Sequence, residues 1–163
     1  MKPILLLLAL LAQKGPPGRE FPADIDAAKE AKQSEKQIFA NDILRVFQVS
    51  VPSGMKELHF APDKTGFFVV GGKQVSWHDR PVIMRGEAVH VEFVKHYAVS
   101  SAAAKDGALF ENSLVRVQAA QVDKASVGKK LAPVVEWPVG QKTFTIRNLG
   151  QDGSAGVTVT LKF

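Results

Sequence analysis

From Asn41 onward the chain alternates apolar and polar residues with a period of two, interrupted at short intervals by Gly, Pro, Asn and Asp. In ILRVFQVSV, Ile43, Arg45, Phe47, Val49 and Val51 share one face, and Leu44, Val46, Gln48 and Ser50 share the other, until Pro52-Ser53-Gly54 ends the run. Successive side chains of a strand point to opposite faces, so this pattern predicts a strand. The same reading predicts strands at residues 56–60, 66–71, 73–78, 82–85, 88–94, 97–101 and 114–122, and then in PVVEW, KTFTIRN and GVTVTLKF. The last is the clearest, with Val157, Val159, Leu161 and Phe163 set against Thr158, Thr160 and Lys162. Many short strands between turn residues, with no long helical pattern, predict an all-β antiparallel sandwich or barrel. No recurrent period of the solenoid or propeller kind is present.

Upstream of Asn41 the texture is different. MKPILLLLALLAQ has a basic Lys2, an apolar run from Ile4 to Ala12 and polar, Pro/Gly-rich sequence after it, which is the layout of a secretory signal peptide at residues 1–12. Crossing a bilayer as a helix takes ~20 apolar residues, more than this run supplies, so membrane attachment is expected only through an uncleaved leader. A secreted or periplasmic location follows. Residues 13–40 read as a linker, GPPGREFPAD, and a short N-terminal helix at about residues 26–38, rich in Ala, Lys, Glu and Gln with Asp24 or Asp26 as N-cap. Residues 41–163 are the length of a single β domain.

Charge and cysteine content narrow the classes further. The formal net charge is +5, but basic residues are interleaved with acids and form no stripe for tracking phosphates, so no nucleic-acid partner is expected. With no cysteine there are no disulfides, and stability must come from packing. No G-x-S-x-G elbow occurs, and Gly71-Gly72-Lys73 lacks the spacing of a phosphate loop. Paired carboxylates for glycoside chemistry would have to come from Glu57, Glu87, Glu92, Glu111 or Glu136.

Histidine and aromatic residues supply the remaining candidates. His59 and His96 lie late in the two most strand-like hairpins, and two histidines projecting into one barrel mouth can hold a divalent metal ion, although a catalytic metal usually has three protein ligands. Asp63 is placed to add an oxygen from the turn after Pro62. A structural histidine with one hydrogen bond is the competing reading for His59 and for His96. His90 falls on the polar face of its strand and His78 in the turn WHDRP, both as surface residues. Trp77, Tyr97 and Trp137 read either as a stacking platform for a sugar or as core and rim packing.

These residues carry a resemblance. NDILRVFQVSVPSGMKELHFAPDKTGFFVVGG and GEAVHVEFVKHYAVSS resemble the two halves of a small bacterial cupin, over roughly residues 41–122. Gly54 matches the first glycine of the family's first motif, His59 its first histidine, and Gly71 or Gly72 its closing glycine. Ala61 stands at the second histidine's place and Thr65 or Gly66 at the glutamate's. His96 matches the second-motif histidine, and Ser100 replaces its asparagine. The resemblance implies a jelly-roll barrel with a degenerate metal site at His59 and His96, and pairing of two copies through strand edges as a homodimer.

Three functions are expected from this. The first is a ligand-binding or structural module without a catalytic residue, its site at the barrel mouth near His59, His96, Trp77 and Tyr97. The second is a metal-dependent cupin enzyme of dioxygenase or isomerase type with a reduced ligand set. The third is a β-sandwich module that docks on envelope proteins or glycans. The partner is accordingly a small molecule or an envelope component.

Overall fold

Residues 34–58, 63–121, 128, 131–150 and 152–163 are described by the computed structural model. The strands run β1 Ser34–Ala40, β2 Leu44–Leu58, β3 Gly66–Val70, β4 Gln74–Trp77, β5 Val82–Phe93, β6 Phe110–Glu111, β7 Val115–Ala119, β8 Val134–Glu136, β9 Thr143–Leu149 and β10 Ala155–Leu161. They form two five-stranded sheets, ordered β1-β2-β5-β3-β4 and β6-β7-β10-β9-β8, in which every pairing is antiparallel. Of the all-β antiparallel sandwich or barrel expected from the alternation, the two antiparallel sheets correspond to the sandwich. Each sheet is drawn from one contiguous part of the chain.

Leu44, Val46, Phe67, Val69, Val89 and Val91 of the first sheet share one buried cluster with Val115, Val117, Phe144, Ile146, Val157 and Val159 of the second. Full burial of such a side chain is worth about 1.5–3 kcal/mol, and without cysteine this layer is the main source of stability. Two aromatic stacks close the sides. At one side Trp77, at the end of β4, stacks on Phe110 of β6 at 5.7 Å. At the other, Phe39 of β1 stacks on Trp137, just after β8, at 5.9 Å. Each stack joins an edge strand of one sheet to an edge strand of the other, and offset aromatic pairs add about 0.5–1.5 kcal/mol beyond their buried area.

Three elements differ from the sequence expectation. Residues 34–38, the end of the expected helix, are extended in β1, because SEKQIFA pairs along β2 from Ser34 opposite Ser50 to Ala40 opposite Arg45. Tertiary pairing overrides weak helical propensity here. The rest of that helix, the linker and the leader at residues 1–12 lie outside the described residues. Second, the strands expected at residues 43–51 and 56–60 join as β2, and those at 82–85 and 88–94 join as β5. Pro52-Ser53-Gly54 is not a turn between strands; it lies in a register shift between Val51 and Lys56, a bulge that bends a continuous strand. Beyond the bulge, Leu58, Val82 and Met84 pack with Val49, Val51, Phe68 and Ala88 as a second cluster, on the outer face of the first sheet. Third, residues 97–101 form no strand; Ser101 makes one isolated bridge, to Asn112.

The two sheets share a sequence motif. FANDILRV at residues 39–46 and FENSLVRV at residues 110–117 occupy the same position, the β1–β2 and β6–β7 turns. Asn41 Oδ1 accepts from the backbone N–H groups of Ile43 and Leu44 at 2.9 and 3.0 Å, and Asn112 Oδ1 accepts from those of Leu114 and Val115 at 2.8 and 2.9 Å. The backbone N–H of Asn41 donates to Leu44 O, and that of Asn112 to Val115 O, both at 3.0 Å. The correspondence continues through the pairings. Leu44 opposite Phe93 and Val46 opposite Val91 match Val115 opposite Leu161 and Val117 opposite Val159. Phe39 and Phe110, the first residues of the motifs, are the two phenylalanines stacked on the tryptophans at the sides.

Candidate functional site

The expected metal site is only partly within view. His59 lies outside the described residues. His96 is exposed at the end of the sandwich where β3 begins, its Nδ1 3.1 Å from Thr65 Oγ1. The neighbour that the structure brings to His96 is His78. The backbone N–H of Gly66 donates to His78 Nδ1 at 3.3 Å, and the backbone N–H of His78 donates to Gly66 O at 2.9 Å. Burial lowers the His78 pKa, the His96 ring acts in the same direction, and Asp79 opposes both. While His78 Nδ1 accepts that bond, the proton of the neutral ring sits on Nε2, and neither nitrogen presents a lone pair to a metal ion. Asp63 is exposed in its turn, and among the described residues no three His, Asp or Glu side chains gather to hold a metal ion.

Thr65 and His96 have the hydroxyl-to-imidazole distance of a nucleophile and its base. However, Thr65 is fully buried, and its Oγ1 also accepts from the Tyr97 backbone N–H at 3.1 Å. This hydroxyl ties the segment after β5 to the start of β3, and no substrate reaches it.

The aromatic candidates are occupied by packing. Trp77 is 8% exposed and lies between Phe67, at 6.0 Å, and Phe110. Tyr97 packs against Phe93 and Phe163, at 5.6 and 5.1 Å. Trp137 stacks on Phe144 at 4.7 Å as well as on Phe39, and its Nε1 donates to Gln141 O at 2.8 Å. Trp77 and Trp137 therefore stand at opposite sides of the sandwich and form no common platform. His90, expected at the surface, does lie on the outer face, but it is held between the rings of Phe47 and Phe68, with Nδ1 3.2 Å from Glu35 Oε2.

Among the described residues a second candidate site lies at the far end of β3, about 16 Å from the histidines at the usual strand rise. There a small cleft of about 30 Å³, room for a water- or ammonium-sized group, opens to solvent between the two sheets. Its first-sheet wall is made by Gln48, Val69, Glu87, Ala88, Val89 and the Gly71-Gly72 turn, and its second-sheet wall by Leu131, Pro133, Asn148, Leu149 and Gly150. Strand parity explains the polar group. Glu87 follows Phe93, Val91 and Val89 along the inner face of β5, and Gln48 and Ser50 follow Leu44 and Val46 along the inner face of β2. Gln48 Nε2 donates to Glu87 Oε1 at 3.2 Å, and Ser50 Oγ donates to Glu87 Oε2 at 2.8 Å.

Across the cleft the backbone is set by two positions. Gly72 has φ +73°, and a methyl placed on it would stand 2.5 Å from Ala155 Cβ. Asn148 has φ 64°, and its Nδ2 donates to Ala132 O at 3.1 Å, which directs its remaining amide oxygen as an acceptor. The internal match makes the polar group conspicuous. In the second sheet the position of Gln48 is taken by Ala119, paired with Val157, and the inner-face position of Glu87 is taken by Ala155. The carboxylate and its amide donor are thus a local departure from a pattern otherwise repeated as apolar core.

Sequence reading named Glu87 only among five ordinary glutamates. Its setting depends on the β2–β5 register, which brings together residues nearly forty positions apart. The duplicated F-x-N motif was the signal open to sequence inspection, since aligning its copies sets Gln48 against Ala119. No protein-family model, curated protein or solved structure matches the chain.

Proposed function

We propose that this protein is an exported β-sandwich binding module that takes a small ligand in the inter-sheet cleft beside Glu87. One observation carries the reading: an inner-face carboxylate, oriented by Gln48 and Ser50, stands where the matching half of the fold has alanines. An apolar pocket with a few convergent polar groups is the usual form of a small-molecule site. Export rests on the leader-like residues 1–12.

The metal-dependent cupin reading draws less support. His78, the ring beside His96, has its Nδ1 engaged by Gly66, and each sheet is built from consecutive strands, whereas a jelly roll winds its strands between the two sheets.

The test is a fragment screen followed by amide chemical shifts. Binding at the cleft moves the amides of Gly71, Gly72, Asn148 and Gly150 together. Shifts that gather instead around Gly66, His78 and His96 on addition of zinc, with stoichiometric metal lost in His96→Ala, would refute the cleft and favour the metal enzyme.

A further inference from the structure

Glu87 differs from the other part-buried glutamates in that no lysine or arginine among the described residues is paired with it. Glu92 is paired with Arg45 at 3.5 Å and Lys64 at 3.9 Å, and Glu111 with Arg116 at 3.3 Å and Lys162 at 2.6 Å. Glu87 has neutral donors alone, the Gln48 amide and the Ser50 hydroxyl. Two donors fill about half of the roughly four lone-pair positions of a carboxylate, and they orient the charge without neutralising it. Among the described residues this part-buried carboxylate therefore has no counter-charge from the protein itself. The walls next to it are hydrocarbon: Val89 on its own strand and Leu131, Pro133 and Leu149 across the cleft.

A carboxylate that lacks a cation and borders an apolar wall is complementary to a cation on a hydrocarbon stem. We infer that the cleft binds a small aliphatic primary amine in its protonated form, with the ammonium on Glu87 and the stem against Leu131, Pro133 and Leu149. This rests on the reading of the cleft as the ligand site and gives that ligand its chemical class. An ammonium has three donors, enough to reach both Glu87 oxygens and the free amide oxygen of Asn148. Gly71 contributes no side chain at the mouth, and the space beside it is open, since a methyl there would meet nothing within 4 Å.

The experiment titrates the full-length protein with n-butylammonium chloride, n-butanol and sodium butyrate, at matched ionic strength, and follows the amides of Gly71, Gly72 and Gly150. Saturable shifts are expected with n-butylammonium, and affinity is expected to fall roughly tenfold or more in Glu87→Gln, the loss that follows removal of a hydrogen bond to a charged group. A second variant guards against a folding defect. Gln48→Lys supplies an internal ammonium beside Glu87, so it should abolish n-butylammonium binding while the circular dichroism spectrum and urea midpoint are retained or improved. Equal affinity in wild type and Glu87→Gln would overturn the assignment. Saturation by n-butanol without response to the amine would overturn the amine and leave the cleft a ligand site, whereas silence toward all three probes would overturn both.

Discussion

The end of the sandwich that carries the cleft depends on a side chain being absent at Gly72, and the cost of adding one can be resolved into two parts. Gly72→Ala meets a backbone penalty, because φ +73° is a left-handed conformation that costs an L-residue about 1–2 kcal/mol. It also meets a steric penalty. The new methyl would stand 2.5 Å from Ala155 Cβ and 3.1 Å from Leu149 Cβ, both in the opposite sheet, so the sheets must move apart, at about 1–3 kcal/mol for overpacking. Together these predict a loss of about 2–5 kcal/mol in urea unfolding. Gly71→Ala isolates the first part, since φ is +62° there and the added methyl meets nothing within 4 Å; it should cost about 1–2 kcal/mol. Ala155→Gly removes the nearer obstacle, so the Gly72→Ala/Ala155→Gly double variant should be less destabilised than the two single losses summed. Gly72→Ala no more costly than Gly71→Ala, or strict additivity with Ala155→Gly, would refute the idea that the sheets meet at this point.

Two further outcomes test other parts of the structure. Asn41→Ala and Asn112→Ala each remove an acceptor for two backbone N–H groups, but Asn112 is 3% exposed and Asn41 lies at the surface; unfolding midpoints should show a loss of about 1 kcal/mol for Asn41 and about 1–3 kcal/mol for Asn112. The His78 pKa is lowered from its ordinary 6.5 by burial first, so its contribution to stability is complete above pH 6.5 and is lost as pH falls through the lower folded-state value. Urea midpoints measured between about pH 7.5 and pH 5 should fall less in His78→Phe than in the wild type. Glu111 is held below its ordinary 4.5 by its hydrogen bond from Lys162, and Asp152 below its ordinary 3.8 by those from Ser154, so their losses come in more acid windows.

Local patterning carried most of the strand positions and little of their arrangement. β7, β9 and β10 follow from alternation because each has one face on the core, whereas β3 reads as an apolar run because both of its faces are buried. β1 was hidden, since Ser34, Glu35, Lys36 and Gln37 are exposed and only pairing with β2 makes them a strand. The bend at Pro52-Ser53-Gly54 looks in sequence like a hairpin turn, and what distinguishes it is the partner strand, which continues alongside. YAVSS alternates as a strand does, yet it is held as a connection by Thr65 at Tyr97 and by Ser113 at Ser100. The site was less legible. The histidine rings have to be placed before their hydrogen bonds reveal which nitrogens are spent, and the lack of a cation beside Glu87 emerges only when the lysines and arginines of the described residues are placed. The tryptophans invited a surface reading because sequence cannot tell a ring on a face from a ring between sheets.

The matching Phe–Trp stacks have a consequence for assembly. Phe39 with Trp137 and Phe110 with Trp77 present the same chemistry on both sides, so the surface between the halves is close to isologous, as between the subunits of a two-fold dimer, although it lies within one polypeptide. The half-fold of a second molecule would offer an equally suitable partner. Closure on itself is favoured by the tether, residues 94–109, which raises the effective concentration of the chain's own second half to about the millimolar range. Cutting or greatly lengthening that tether therefore moves this protein toward exchange of halves between molecules, with both hydrophobic layers and both stacks preserved.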